Sequence, residues 1–169
     1  METLLLSDHC PDDIQRAGDI LRRGGLVAIP TETVYGLAAN ALDGEAVKKI
    51  YQAKGRPSDN PLIVHISRFS QLAPLVKEVP ESAQKLAAAF WPGPLTIILP
   101  KSDVIPRQTS GGLDTVAVRC PSHPTARAVI DAAGVPLAAP SANLSGKPSP
   151  TTFLHVREDL TGRVDALLD

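Results

Sequence analysis

The stretch GGLVAIPTETVYGLAANALDGEAVKKIYQAKGRPSDNPLIVHI, residues 24–66, decides the fold class. Two short apolar runs in it, GGLVAIP at 24–30 and PLIVHI at 61–66, are bounded by glycine or proline and predict buried strands. Between them, Asp43 is placed to cap a helix that runs to about Lys54. A strand, a helix and another strand in this order are typical of an α/β domain.

The rest of the chain continues this alternation. Further helices are predicted at 11–23, 70–77, 81–90, 123–133 and 151–160, further strands at 95–100, 115–119, 136–140 and 164–168, and loops at 31–40 and 141–150. Because the strands are almost continuously apolar, we expect a sheet covered on at least one face, in which mixed strand directions are possible. The length, 169 residues, predicts a single domain over 1–169.

Charge and hydropathy exclude several classes of function. Seventeen Lys and Arg residues balance 18 Asp and Glu residues, so an RNA partner would need a local positive patch. No apolar run approaches the roughly 18 residues of a membrane-spanning helix, and the acidic N-terminus is unlike a signal peptide. We therefore expect a cytoplasmic protein with no membrane partner. The two cysteines have the spacing of neither a zinc site nor a disulfide framework.

The segment KGRPSDNPLIVH at 54–65 contains two cations close together at the end of a helix. Lys54 and Arg56 are separated by one glycine, and a chain reversal there can direct both into one cleft. Paired cations of this kind suit a phosphate or a carboxylate, and arginine offers two parallel donors. In the alternative interpretation, Lys54 only complements the negative end of the helix and Arg56 is a solvated loop charge.

Two polar segments directly follow predicted buried strands. PTETVYG at 30–36 carries hydroxyl groups, and APSANLSGKPSP at 139–150 carries serines, Asn143 and a lysine. Ligands commonly bind at the carboxyl ends of strands in α/β proteins, although such hydroxyls as often satisfy backbone groups in turns. The second segment is not a phosphate-binding loop of the GxxxxGK[ST] type, because Ser141 and Pro148 occupy two required positions.

Two further polar side chains lie within predicted strands. His65 occupies an alternating position in PLIVHI, and it is either a ligand-binding residue or an ordinary buried histidine. Thr115 and Arg119 are four residues apart in TVAVR and point to one side of the strand. An arginine in an apolar strand needs an anion, which would be a ligand or a structural carboxylate such as Asp114 or Asp131. The histidine spacings predict no metal site built from protein side chains.

Five motifs together resemble one known family. PTETVYGL, KGRPSDNPLIVH, FWPGPLT, GLDTVAVRCP and APSANLSGKPSPT look like the threonylcarbamoyl-AMP synthase family, also called YrdC-like, over residues 24–169. The family's paired signature, KxR and SxN, is present as Lys54–Arg56 and Ser141–Asn143. The resemblance implies a mixed, twisted sheet with flanking helices and a large concave cleft.

The resemblance also implies a reaction and a set of site residues. The family joins L-threonine, bicarbonate or carbon dioxide, and ATP into threonylcarbamoyl-adenylate with release of pyrophosphate, and magnesium is carried by the nucleotide. The implied catalytic residues are Lys54, Arg56, Ser141 and Asn143; those for ATP are Lys54, Arg56, Asn60, Thr115, Asn143 and Ser149; those for threonine are Thr31, Thr33, Tyr35, His65, Arg119 and Ser141.

The product would serve the threonylcarbamoyl modification of tRNA, reached directly or through a downstream transferase complex. Relatives generally continue beyond VDALLD at 164–169, so we expect the chain to lack the C-terminal end of the family domain. The chain is then part of a longer protein, or its ATP site is incomplete. Two other functions stay open: a tRNA-binding or double-stranded RNA-binding module without catalysis, and a carbamoyl-transfer domain of the hydrogenase-maturation type.

Overall fold

The structure is a computed structural model that describes residues 1–55 and 60–169. The strands are β1 (Leu4–Leu6), β2 (Val27–Ile29), β3 (Gly36–Asn40), β4 (Ile63–His65), β5 (Thr96–Pro100), β6 (Thr115–Arg119), β7 (Leu137–Ala138) and β8 (Ala166–Leu168). The helices are α1 (Pro11–Arg22), α2 (Gly44–Lys54), α3 (Glu81–Phe90), α4 (Arg107–Ser110), α5 (Pro124–Ala133) and α6 (Phe153–Leu160). This is the mixed α/β fold that the sequence predicts.

The eight strands form one sheet in the order β1-β8-β2-β3-β7-β4-β6-β5. The pairs β1–β8, β8–β2 and β4–β6 are parallel, and the other four pairs are antiparallel. Strands β4 and β6, which carry His65 and Arg119, are therefore neighbours. Strands β2 and β7 both pair antiparallel with β3, so they run in the same direction. The loops that follow them therefore leave the same edge of the sheet, on either side of β3.

The predicted start and end signals of the second helix are confirmed. The carboxylate of Asp43 accepts hydrogen bonds from the backbone N–H groups of Glu45 and Ala46, at 3.1 and 3.3 Å. At the other end Gly55 adopts a left-handed conformation with φ +72°, which glycine accepts without steric cost. These local signals place Lys54 in the last turn of α2, directly before the turn at Gly55.

Two predicted elements are wrong. The predicted loop 31–40 is a loop only in its first half, because Gly36–Asn40 pairs with β2 as strand β3. Small apolar residues such as Ala38 and Ala39 are weak strand formers, so burial inside the sheet outweighs their propensity. The predicted helix 70–77 consists of two short 3-10 turns, which include Pro74. The prediction also missed β1 and α4.

Helices cover both faces of the sheet. Helices α1 and α5 contribute to one apolar core with Val27, Ile29 and Leu137. Helix α2 belongs to the other core, which also contains residues of α3 and α6. No helix within residues 1–55 and 60–169 is long and apolar enough to cross a membrane.

Helices α1 and α5 pack closely at Gly18. A Cβ atom added there would lie 2.5 Å from the backbone carbon of Ala132 and 2.7 Å from the nitrogen of Ala133. We expect Gly18→Ala to lower the free energy of unfolding by about 1–3 kcal/mol, although alanine is the better helix former by about 1 kcal/mol. Urea unfolding of the variant measures this change, and Gln15→Ala on the exposed side of α1 is the control. A stabilised Gly18→Ala variant would show that the helices separate at little cost.

Candidate active site

A cavity of about 250 Å³ lies beside the carboxyl ends of β4 and β6. It lies between the loop that follows β2 and the segment that follows β7. The side chains that carry chemistry in its lining are Thr31, Thr33, His65, Arg119 and Ser141. The structure therefore brings together five of the six residues that the resemblance implies for threonine.

The strand register explains why two of these residues face the same space. His65 and Arg119 are direct neighbours across the parallel pair β4–β6, so their side chains leave the same face of the sheet. Along β6, buried and partly buried residues alternate, so Thr115, Ala117 and Arg119 share that face as predicted. A single alternation pattern thus places a cation and an imidazole at one end of the sheet.

The segment around Ser141 is held against the β3 side of the cavity by backbone pairing. Ser141 forms an isolated antiparallel bridge with Gly36, and the N–H of Ala142 donates to the carbonyl of Tyr35 at 2.8 Å. Thr31 is held in the same loop, where its hydroxyl donates to the carbonyl of Val34 at 2.5 Å. Two segments that are 110 residues apart along the chain are thereby joined into one wall.

Arg119 forms an ion pair with Glu32, and both side chains are largely buried, 11% and 20% exposed. The prediction of a structural carboxylate such as Asp114 or Asp131 for Arg119 is wrong, because the partner is Glu32. Asp131 instead accepts a hydrogen bond from Ser67 at 2.5 Å and lies 3.7 Å from Arg68. Glu32 was missed as a site residue. The signal for it was a single carboxylate between two threonines in a loop that directly follows a buried strand.

Burial keeps His65 neutral. The side chain is almost completely buried, and its Nδ1 lies 3.1 Å from the carbonyl of Ile63, which requires a proton on Nδ1. Burial lowers the pKa of His65 to about 4, while contacts with the backbone of Ile63 and Leu137 raise it slightly. At neutral pH the imidazole therefore adds no positive charge to the cavity.

The lowered pKa makes stability depend on pH in a defined window. The folded pKa of about 4 lies below the ordinary value of 6.5. The contribution of neutral His65 to the free energy of unfolding is therefore fully present above pH 6.5 and is lost as the pH falls towards 4. Between pH 7.5 and 4.5, we expect the protein to lose about 2–3 kcal/mol more stability than its His65→Asn variant. Urea unfolding of both proteins at the two pH values measures the difference, and parallel losses would contradict the assignment.

The second half of the candidate site surrounds a buried lysine. Lys54 is only 1% exposed, and its Nζ donates to the carbonyl oxygen of Ser141 and, at 3.2 Å, to Oδ1 of Asn143. The hydroxyl of Ser141 also donates to Oδ1 of Asn143, at 2.5 Å. The amide nitrogen of Asn143 donates to the carbonyls of Leu144 and Lys147. Three of the four signature residues thus form one connected network, and Ser141 joins it to the cavity.

The remaining predicted residues lie in other places. Arg56 lies outside the described residues. Asn60 has an exposed side chain, and its carbonyl accepts a hydrogen bond from the hydroxyl of Tyr51. Thr115 lies at the opposite end of β6 from Arg119, about 13 Å away at the usual rise per residue. Ser149 lines a separate cavity of about 230 Å³.

Tyr35 is the predicted threonine residue that the cavity lining does not include, as far as residues 1–55 and 60–169 are concerned. Its ring packs against Phe153 at a centroid distance of 6.3 Å, and its hydroxyl lies 3.5 Å from a carboxylate oxygen of Asp169. Burial and the nearby Asp169 raise the pKa of Tyr35. The side chain therefore connects the loop after β2 to α6 and the end of β8.

Within the described ranges, no three His, Cys, Asp or Glu side chains converge as ligands for a metal ion. Among the described residues, the polar groups of the site are hydroxyls, the amide of Asn143, the neutral imidazole of His65, the cations of Lys54 and Arg119, and the carboxylate of Glu32, which pairs with Arg119. Such a set can bind the carboxylate of a small ligand through Arg119 and can neutralise negative charge near Lys54.

Comparison with known proteins gives consistent matches. A family model for Sua5, YciO and YrdC proteins, described as "Telomere recombination", matches residues 19–169. The threonylcarbamoyl-AMP synthase of Pyrococcus abyssi is 60% identical over 156 residues, which cover 92% of this chain and 46% of that protein. The threonylcarbamoyl-AMP synthase of Bacillus subtilis is 58% identical over 165 residues, which cover 97% and 47%.

A solved structure, that of P. abyssi Sua5 complexed with L-threonine, superposes with a TM-score of 0.94 at 55% identity. The match covers all of this chain and 50% of that one. The chain thus spans about half the length of these relatives. Since the family model covers nearly the whole chain and the fold agrees with the solved relative, this chain belongs to the Sua5/YciO/YrdC family.

Proposed function

We propose that this chain acts as an L-threonylcarbamoyladenylate synthase, a nucleotidyltransferase that uses L-threonine, bicarbonate or carbon dioxide, and ATP. The observation that carries the proposal is the cavity with Arg119, His65 and three hydroxyl groups, directly connected to the buried Lys54. Two relatives are named threonylcarbamoyl-AMP synthase, and one solved relative was obtained with L-threonine bound. The chemistry of the described residues agrees with these names.

The cavity suits the amino acid better than the nucleotide. Its volume of about 250 Å³ is below the roughly 300–1,000 Å³ of sites for drug-sized ligands, and Arg119, a cation among its described lining residues, can pair with a carboxylate. We assign the threonine carboxylate to Arg119 and the threonine hydroxyl to the polar wall of Thr31, Thr33 and Ser141. We retain Tyr35 only as a residue that supports this loop.

ATP is assigned to the side of Lys54 and Asn143. Lys54 and Arg56 would hold phosphate groups, with Asn60 beside them. Thr115 and Ser149 would contact parts of the nucleotide that lie farther from these phosphates. Mg²⁺ usually keeps several waters and binds through substrate phosphates, so we assign it to the nucleotide.

The proposed reaction has two steps. The free amine of threonine adds to carbon dioxide and loses a proton, which gives a carbamate. A carbamate oxygen then attacks the α-phosphorus of ATP, a P–O bond forms, and pyrophosphate leaves with the electron pair of the broken P–O bond. The protein contributes by holding the reactants in place and by neutralising charge near the phosphates.

The purified chain, incubated with ATP, L-threonine and bicarbonate, tests the proposal. We expect pyrophosphate release and an adenylate of the expected mass, both of which require threonine and bicarbonate together. Pyrophosphate release that needs neither would contradict the synthase function. Salt-dependent tRNA binding without turnover would favour the RNA-binding alternative. Transfer of the product to tRNA, directly or through a downstream transferase complex, is the further step that we propose.

A further inference from the structure

We propose that Glu32 is a positioning residue that holds Arg119 in the orientation required to bind the carboxylate of the amino acid substrate. The proposal rests on the proposed function, because it assigns to Arg119 the carboxylate of threonine. Glu32 lies in the loop after β2, and it would act through Arg119 at the end of β6. Four contacts, all made by the carboxylate of Glu32, carry it.

One oxygen of Glu32 is fixed by the segment before α5. Its Oε2 accepts hydrogen bonds from the backbone N–H groups of Ser122 and His123, both at 2.9 Å, and from the hydroxyl of Ser122 at 3.2 Å. This segment directly precedes α5, whose positive end also favours a negative charge there. The carboxylate is therefore anchored independently of Arg119.

The other oxygen, Oε1, forms the ion pair with Nη2 of Arg119. Nε of Arg119 is buried, and it has no hydrogen-bond partner among the residues of 1–55 and 60–169. Within this part of the chain, the ion pair with Glu32 is the polar contact of the guanidinium, so Glu32 is placed to orient it. A bidentate contact with a carboxylate depends on the plane of the guanidinium. If Arg119 rotated, it would therefore bind the substrate carboxylate more weakly.

A second role for Glu32 must be compared with this one. In that role, the carboxylate of Glu32 would occupy the place of the substrate carboxylate on Arg119 until the substrate displaces it. If Glu32 left its position, the partly buried backbone N–H of His123 would lose its acceptor, which costs about 1–3 kcal/mol for an unsatisfied group. The backbone N–H of Ser122 is exposed and can bind water instead. The anchored geometry therefore favours a fixed support over a displaceable one. The two roles predict opposite effects of one substitution.

Glu32→Gln separates them. The amide oxygen of glutamine can still accept from Ser122 and His123, but its NH2 group then faces Arg119, and two donors meet. We expect the dissociation constant for L-threonine to rise about tenfold, and the KM for threonine to rise with it, while the affinity for ATP changes less than about twofold. Unchanged or tighter threonine binding would overturn the proposal. Equal losses for threonine and ATP would assign the effect to general destabilisation and would also overturn it.

A double-mutant cycle with Arg119→Met tests whether Glu32 acts through Arg119. In the Arg119→Met background, we expect Glu32→Gln to change threonine affinity less than about twofold. A full tenfold loss there would mean that Glu32 acts by another route. Ligand-observed NMR measures the millimolar dissociation constants that such variants require. Circular dichroism at the assay temperature shows that each variant is folded.

The control is Glu81→Gln, which makes the same chemical change in an exposed ion pair with Lys85 on α3. We expect no change in threonine affinity for this variant. The measurement on the unsubstituted protein separates the two proposals. If that protein does not bind threonine, the proposed function fails; if it binds threonine and Glu32→Gln binds equally well, only the role of Glu32 fails.

Discussion

Replacing Lys54 by methionine will reduce pyrophosphate release from ATP, threonine and bicarbonate by about a hundredfold or more. Lys54 is buried, and its ammonium group contacts both Ser141 and Asn143, which also line or adjoin the cavity. Methionine keeps an unbranched apolar side chain in α2 but removes the charge. The loss should therefore appear in the chemical step, where negative charge on the phosphates must be neutralised.

The assay measures initial rates of pyrophosphate release at saturating threonine and bicarbonate. Lys48→Met is the matched control, because Lys48 lies on the same helix with an exposed side chain paired to Glu45. We expect the control to retain full activity. Since removal of a buried charge also removes a partner from Asn143, a urea titration must show that Lys54→Met is folded. If the variant is folded and its turnover is unchanged, Lys54 has only a structural role.

Replacing Arg119 by methionine will weaken L-threonine binding by about a hundredfold. Among the described residues, Arg119 is the cation that lines the 250 Å³ cavity. Burial lowers its pKa, although arginine stays charged at neutral pH. Methionine retains the apolar stem and removes the guanidinium. The substrate carboxylate would then lose the guanidinium as its partner among the described residues that line the cavity.

Calorimetric or NMR titration with L-threonine measures this loss. Arg16→Met is the control, because Arg16 is exposed on α1 and is not among the residues that line the cavity. We expect its threonine affinity to equal that of the unsubstituted protein. Arg119→Met also leaves Glu32 without its cation, but the three donors at Ser122 and His123 remain. If the variant binds threonine normally, the carboxylate is held elsewhere.

Much of the fold could be predicted because its signals are local. The helix α2 begins at a capping aspartate and ends at a left-handed glycine, and both signals lie within a few residues of the helix ends. Strand β6 shows its alternation within five residues. Strand β3 could not be recognised in this way, because its small residues have little strand propensity and acquire a strand conformation only by pairing with β2.

By itself, the sequence determined the α/β class, most of the elements and the groups of polar residues that follow buried strands. Only the tertiary structure decided which of these residues meet. Lys54 reaches Ser141, and Glu32 rather than Asp114 or Asp131 holds Arg119. The physical reason is the strand order: β3 and β7 bring distant loops together, and a contact between residues almost 90 apart leaves no trace in local periodicity or capping.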